Sequence, residues 1–386
     1  MSFTLLPTNA YHVRPACSLF RVQLHILFGF VLGFLMALGT LLLYNHYQME
    51  TVQQRQHTTA TEYWQTGYMM ALQEVATEAD TVQQQLNERV RVLCMVLTSP
   101  SQHASHAQHV KATWGKRCTR LLFLSSEEDV ELGAVPVVES EADTYDDLWN
   151  KTREGFRHVY ERYFDDYDWF VKADDDTYMV MENLRYMLYA YSPELPIYFG
   201  YQLVRYGVPY MSGGAAYVLS KEALRRFMTQ AFDNATLCPR PHKFGIEDFY
   251  MGVCLQNVGV QLADARFAVS GDNKPKFMPL DLHTYMATDN TTEISEWLLT
   301  MTPHPVERGL NCCSNYSIAF HYTSPWRMYM YEYFIYHFRA FGVQHQANAL
   351  PVQLSTEEVT RLFPSNYSAD DGPLVDLATQ NLPDNF

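Results

Sequence analysis

The spacing of hydrophobic and polar positions changes several times along the chain. From Leu24 to Tyr44 the run is apolar, with one His and no Lys, Arg, Asp or Glu. Such a run is long enough to cross a bilayer as a helix. It ends in Leu-Leu-Leu-Tyr, a poor cleavage site, so it reads as a retained signal-anchor. Arg14 and Arg21 precede it and no Lys or Arg follows before Arg55, which predicts a cytosolic tail over 1–23 and the rest across the membrane. Residues 45–88 are polar and Gln-rich and favour helix, as a stem would. Met69, Met70, Leu72, Val75, Val82, Leu86 and Val90 form a loose stripe on it. That stripe fits either self-association or packing on the chain's own domain.

From Arg89 onward short apolar runs alternate with helical spacing. Strands are predicted over Val90–Leu97, Leu121–Leu124, Val135–Val138, Phe170–Ala173, Pro196–Gly200 and Ala215–Leu219. Helices are predicted over His109–Trp114, Tyr145–Tyr163, Tyr178–Tyr191, Lys221–Phe232 behind a Ser220 N-cap, and Glu247–Val258. This alternation predicts an α/β domain over 89–342 with a largely parallel sheet. Beyond 343, Pro351, Pro364, Pro373 and Pro383 predict a loosely ordered tail to residue 386.

The chemistry concentrates where one of these strands ends. Trp169-Phe170-Val171-Lys172-Ala173 runs into Asp174-Asp175-Asp176. Adjacent carboxylates repel, so three together call for a cation or full solvation. Oxygen ligands suit Mn²⁺ or Mg²⁺. Side chains alternate on an extended chain, so Asp174 and Asp176 face one site and Asp175 another. Read alone, the triplet is also an ordinary solvated turn.

Composition narrows the classes. With 47% hydrophobic residues among 386, the chain can bury a substantial core. A net charge of −15 argues against nucleic acid as a partner. Of its 7 cysteines, Cys17 precedes the apolar run; Cys94, Cys118, Cys238, Cys254, Cys312 and Cys313 follow it. This suits disulfides in an oxidising lumen. Cys94 and Cys118 flank neighbouring predicted strands and are expected to pair; adjacent Cys312 and Cys313 are expected to take different partners. Glycosylation sequons begin at Asn150, Asn234, Asn290, Asn315 and Asn366.

Other features carry chemistry only in combination. Gly213-Gly214 permits a close backbone approach to a ligand, or forms a simple turn. Glu247-Asp248 opens a helix, where acids often serve as caps, but an ionised carboxylate beside an acceptor hydroxyl is also what a general base requires. His321, in Phe320-His321-Tyr322, is a core histidine or a metal ligand. Among Lys111, Lys151 and Lys172, Lys151 ranks first as a phosphate contact.

Taken in order, His109 through Cys118, Asp168 through Tyr178, Tyr210-Met211-Ser212-Gly213-Gly214, Tyr217 through Leu224, Glu247-Asp248, Cys312-Cys313-Ser314 and Phe320-His321-Tyr322 resemble the core 1 β1,3-galactosyltransferase family. The resemblance runs from about residue 90 to 342. It implies a GT-A (Rossmann-like) glycosyltransferase domain behind one transmembrane helix, in a Golgi type II membrane protein that often forms a homodimer. It implies UDP-galactose as donor, Mn²⁺ as cofactor, and inverting transfer to O3 of GalNAc on Ser or Thr of glycoproteins. By this resemblance Asp174, Asp176 and His321 match the metal set, with Asp176 first, and Asp248 matches the base. Asp174, Asp175, Gly213, Gly214, Thr98 and Lys151 match the nucleotide site. The chain departs from the family at Ala216, where Gly-Gly-Ala-Gly is usual; at Tyr201-Gln202, where Arg-Arg is usual; and at Trp297 through Thr302, where aromatics are usual. The alternatives are a different acceptor or UDP-sugar on the same fold, or a non-catalytic chaperone or lectin-like relative.

Overall fold

The computed structural model describes residues 35–44, 46, 78–139, 143–240, 246–268, 271–287, 293–340, 350–364 and 373–374. The chain divides into Met1–Ala76 and Thr77–Phe386, each taken by itself below. In the first, residues 35–44 are helical, with Leu35, Leu41, Leu42 and Leu43 exposed. The rest of the expected span, the 1–23 tail and nearly all the stem lie outside the described residues. Among the described residues no helix is long and apolar enough to cross a membrane.

The second unit is built on Val92–Leu97 (β1), whose six residues are all buried. A strand apolar on both faces belongs inside a sheet covered on both sides. Arg120–Ser125 (β2) and Trp169–Asp174 (β4) flank it in parallel, and Ala134–Pro136 (β3) adds an edge. Tyr217–Ser220 (β9) pairs antiparallel with β4, then with Ile197–Gly200 (β6), and Gln261–Asp264 (β10) closes the far edge parallel to β6. The order is β10-β6-β9-β4-β1-β2-β3. The expected parallel sheet is therefore mixed, because β9 runs against both its neighbours.

A small sheet decides the chemistry. Tyr178–Met179 (β5) pairs antiparallel with Ala319–Phe320 (β12), which lies beside Phe277–Met278 (β11). The helix expected over Tyr178–Tyr191 is corrected accordingly: its first residues are strand and the helix spans Met181–Leu188. Helical spacing in the sequence lost here to ladder pairing with a segment far along the chain. A hairpin not anticipated from the sequence, Gln202–Arg205 (β7) with Val208–Met211 (β8), turns through Tyr206 and Gly207, both at positive φ. Two such residues make the tight turn that matches strand twist.

A capping box between Thr144 and Asp147 opens the 3-10 turn Tyr145–Asp147, which leads into helix Leu148–Tyr163, and that helix buries Phe156 against Tyr217 and Phe227. Ser220 caps the next helix by accepting the Ala223 N–H, as predicted. Helix Glu78–Arg89 buries Leu86 and lies against helix Met181–Leu188, where Gln83 donates to Glu182. The end of the stem thus packs on its own domain.

Disulfides join Cys94 to Cys118, as expected, and Cys238 to Cys254. Cys312 bonds to Cys313, which corrects the expectation of separate partners. The other two bridges leave these neighbours only each other among the described cysteines. The expected loose tail carries a capped helix, Thr356–Leu362, with Val359 and Phe363 buried. Phe363 packs on Tyr191 and Phe199, a contact worth about 1.5–3 kcal/mol.

Candidate functional site

Most of the predicted chemistry converges at one edge of the large sheet; Lys111 does not line the cleft there, and its ammonium donates to the Glu131 carbonyl. β1 delivers Thr98 there, β4 delivers the acids, and Gly213-Gly214 turns the chain into β9 beside them. Ligands of open α/β sheets bind at the carboxyl ends of the strands. The cleft there encloses 540 Å³, enough for a small-molecule ligand.

Asp174, Asp176 and His321 offer ligand atoms within 4.8 Å of one another. The small sheet explains how an imidazole far along the chain arrives. Phe320 pairs with Tyr178, so one step further His321 stands opposite Thr177, next to Asp176. The Thr323 N–H donates to the Asp176 carbonyl at 2.7 Å and fixes that juxtaposition. His321 Nδ1 lies 3.2 Å from the Pro279 carbonyl, leaving Nε2 towards Asp176 at 3.4 Å. Burial, the largest single influence, lowers the imidazole pKa, but the hydrogen bond and charge of Asp176, the charge of Asp174 and the Pro279 carbonyl together give a net upward shift. Burial likewise pushes the Asp176 pKa up, and the hydrogen bond and charge of His321, with the charge of His106, together bring it to a net lowering.

The alternation expected of the triplet is observed. Asp175 turns to Thr98, whose hydroxyl donates to it at 2.7 Å, and burial pushes its pKa up to about 7. Two carboxylates and an imidazole form a donor set that suits Mn²⁺, so the residues fit the ion that the resemblance implied.

The glycine pair serves this set. A Cβ on Gly214 would stand 2.0 Å from Cε1 of His321, and one on Gly213 would stand 2.7 Å from Glu247 Oε2. Both glycines line the cleft and let site side chains reach the backbone. The Gly213 N–H donates to Asp248 Oδ2 at 2.8 Å, and the Phe249 N–H donates to Oδ1 at 2.8 Å. Burial raises the Asp248 pKa against these bonds and against the nearby Lys172. Glu247 is anchored by the Tyr217 hydroxyl at 2.6 Å and by Lys172 at 3.1 Å.

Lys172 links the two halves, since its ammonium also meets Asp174 at 2.7 Å. It is buried, and its pKa is raised: burial opposes the charge, but Asp174 and Glu247 overcome it. Sequence reasoning ranked Lys151 above it. Lys151 is instead buried behind the cleft wall, ion-paired with Asp143 and donating to the Thr98 carbonyl at 2.7 Å. Thr98 and Lys151 thus support Asp175 and are not among the cleft-lining residues.

The rim includes Arg205 and Tyr145, which the sequence did not single out, and Tyr210 and Met301, which lie in stretches quoted above without a role of their own. Arg205 and Tyr145 gave no signal because they lie on a hairpin and a short turn with no motif around them. Trp297 and Tyr322 also line the cleft, so aromatic surface is present although the local run is thinned.

Comparison with known proteins follows this geometry. A Fringe-like profile matches residues 87–271. The glycoprotein-N-acetylgalactosamine 3-beta-galactosyltransferase 1 of Xenopus laevis is 38% identical over 291 residues, covering 73% of this chain and 78% of that protein. The chain belongs to the glycoprotein-N-acetylgalactosamine 3-beta-galactosyltransferase family. It is an enzyme, a glycosyltransferase with a mixed α/β Fringe-like domain. More distant similarity reaches the mouse beta-1,3-glucosyltransferase, 25% identical over 178 residues, with 45% of this chain and 35% of that protein covered. It also reaches human chondroitin sulfate synthase 3, 26% identical over 183 residues, with 42% and 20% covered. Ala216 stands where the resemblance led to an expectation of glycine, and its φ is +64°, a left-handed conformation that favours glycine.

Proposed function

We propose that this enzyme transfers galactose from UDP-galactose to O3 of GalNAc linked to Ser or Thr of glycoproteins, with inversion. The observation that carries the reading is the convergence of Asp174, Asp176 and His321 in the same cleft as Asp248. Asp174, Asp176 and His321 would hold a divalent ion, Mn²⁺ in this reading. When bound, such an ion supplies positive charge against the diphosphate of the departing UDP.

The chain's own groups do the rest. Asp248 accepts the proton of the acceptor hydroxyl as that oxygen attacks the anomeric carbon. The Gly213 and Phe249 N–H groups hold its carboxylate in one orientation. Lys172 holds Asp174 and Glu247 in place, because its ammonium is ion-paired with both carboxylates. A single displacement inverts the configuration and needs no enzyme nucleophile.

The departures at Tyr201-Gln202 and Trp297 through Thr302 favour, as second reading, the same mechanism on a different acceptor or UDP-sugar. The intact set of Asp174, Asp176, Asp248 and His321 speaks against a non-catalytic chaperone or lectin-like role. We also propose a Golgi type II topology with the catalytic part in the lumen. The apolar run Leu24–Tyr44 and the disulfides support it.

The test is a donor and acceptor panel on the purified enzyme, with and without EDTA. The expected result is galactose transfer to GalNAc-peptide that stops on chelation and returns with Mn²⁺. Transfer that ignores chelation would remove the metal from the account. Transfer only to another acceptor would select the second reading.

A further inference from the structure

The site has a direction, and the direction assigns its sides. The His321 ring fills the space beside Gly214, and Asp248 is bonded to the next residue back, Gly213. Going back further, the chain enters β8 and recedes from the acids at about 3.3 Å per residue. Tyr210 comes first; Val208 at the far end is paired with Arg205 across the hairpin. The order along this wall is therefore metal set, base, then Arg205.

An inverting displacement places the attacking hydroxyl and the leaving diphosphate on opposite sides of the sugar carbon. If the acids hold the diphosphate and Asp248 holds the hydroxyl, the wall beyond Asp248 meets the acceptor. Helix Glu296–Met301 completes that wall. The Tyr210 hydroxyl is 3.7 Å from Met301 Sδ, and the hydroxyls of Tyr201 and Thr302 are 3.0 Å apart.

Arg205 lines the cleft and, among the described residues, pairs with no carboxylate. Its polar contact within the wall is a long one, 3.5 Å from Nη2 to the Tyr206 hydroxyl, with its guanidinium 5.2 Å from that ring's centre. In a chain of net charge −15, a cleft-mouth guanidinium that meets no acid among the described residues has the chemistry to recognise one on a ligand.

We propose that Arg205 selects acceptors that carry an acidic side chain next to the sugar-bearing Ser or Thr. This rests on the transferase reading above. Arg205 is a specificity residue here and takes no part in bond making.

The experiment uses two GalNAc-peptides that differ only in Asp or Asn beside the glycosylated Thr. KM is measured for each at saturating UDP-galactose, with the full chain and with R205Q and R205K. The wild type should show a KM about five- to tenfold lower for the Asp peptide. The preference should shrink as salt is raised. In R205Q the ratio of the two KM values should fall to about one, and R205K should keep most of it. Equal KM values in the wild type, or a ratio that survives R205Q, would overturn the proposal. So would a rise in the UDP-galactose KM of R205Q with the peptide ratio intact, which would move Arg205 to the donor side. No transfer to either peptide by the wild type would overturn the transferase reading as well.

Discussion

Replacing Gly214 by Ala tests the metal set without touching a ligand. The new Cβ would stand 2.0 Å from Cε1 of His321 and 2.4 Å from each ring nitrogen. Carbon atoms rest at about 3.5–4.0 Å, so the ring must retreat by more than about 1 Å. It cannot do so and keep both its contact with the Pro279 carbonyl and its approach to Asp176. Gly214 does not sit at positive φ, so the backbone accepts Ala and the effect is the ring contact alone. Overpacking of this kind costs about 1–3 kcal/mol of stability. A displacement near 1 Å of a positioning group costs about 10²-fold in rate. The assay is galactose transfer against Mn²⁺ concentration, with a thermal melt alongside. Gly214→Ala should need more Mn²⁺ and turn over about a hundredfold more slowly. In a His321→Ala background the same substitution should cost almost no stability, because the clash is gone. A Gly214→Ala enzyme with unchanged metal dependence and rate would refute the reasoning.

Three further outcomes follow from the site and its surroundings. Asp248→Asn should cut kcat by about 10²–10⁴ while UDP and Mn²⁺ still bind, as calorimetry would show; near-normal turnover would place the base elsewhere. Because burial raises the Asp248 pKa and the base must be ionised, kcat/KM should fall as pH drops through that raised value. The acid limb of a pH–rate profile then lies above the ordinary Asp value of about 3.9, and a limb at or below it would contradict the assignment. Ala216→Gly should raise stability in a denaturant titration by about 1 kcal/mol, since Ala216 holds a φ of +64°; a loss would mean the left-handed residue is not strained.

Much of the frame was legible because it is local. The apolar run into Asp174 gave away β4 and the Ser220 cap marked a helix start; Asp175 does point away from Asp174 and Asp176, although the strand ends at Asp174 and a turn carries the other two. Cys94 lies in β1 and Cys118 just before β2, so their pairing across neighbouring strands was within reach. The rest depends on contacts between distant segments. Nothing near His321 shows that β12 will pair with β5, and that pairing brings the imidazole to Asp176. The same pairing turned Tyr178 and Met179 from helix into strand. Lys151 outranked Lys172 because helix position was visible, whereas the acids enclosing Lys172 come from two different elements. Arg205 has no motif around it; its place follows from the turn at Tyr206 and Gly207 and from the path of β8.

The most direct test of the central claim is calorimetric binding of Mn²⁺ and UDP to the wild type, Asp176→Asn and His321→Ala. The account predicts that UDP binds the wild type well only with Mn²⁺ present, and that each substitution weakens Mn²⁺ binding by at least about tenfold. UDP binding that is equal with and without Mn²⁺, or variants that bind the pair like the wild type, would contradict it.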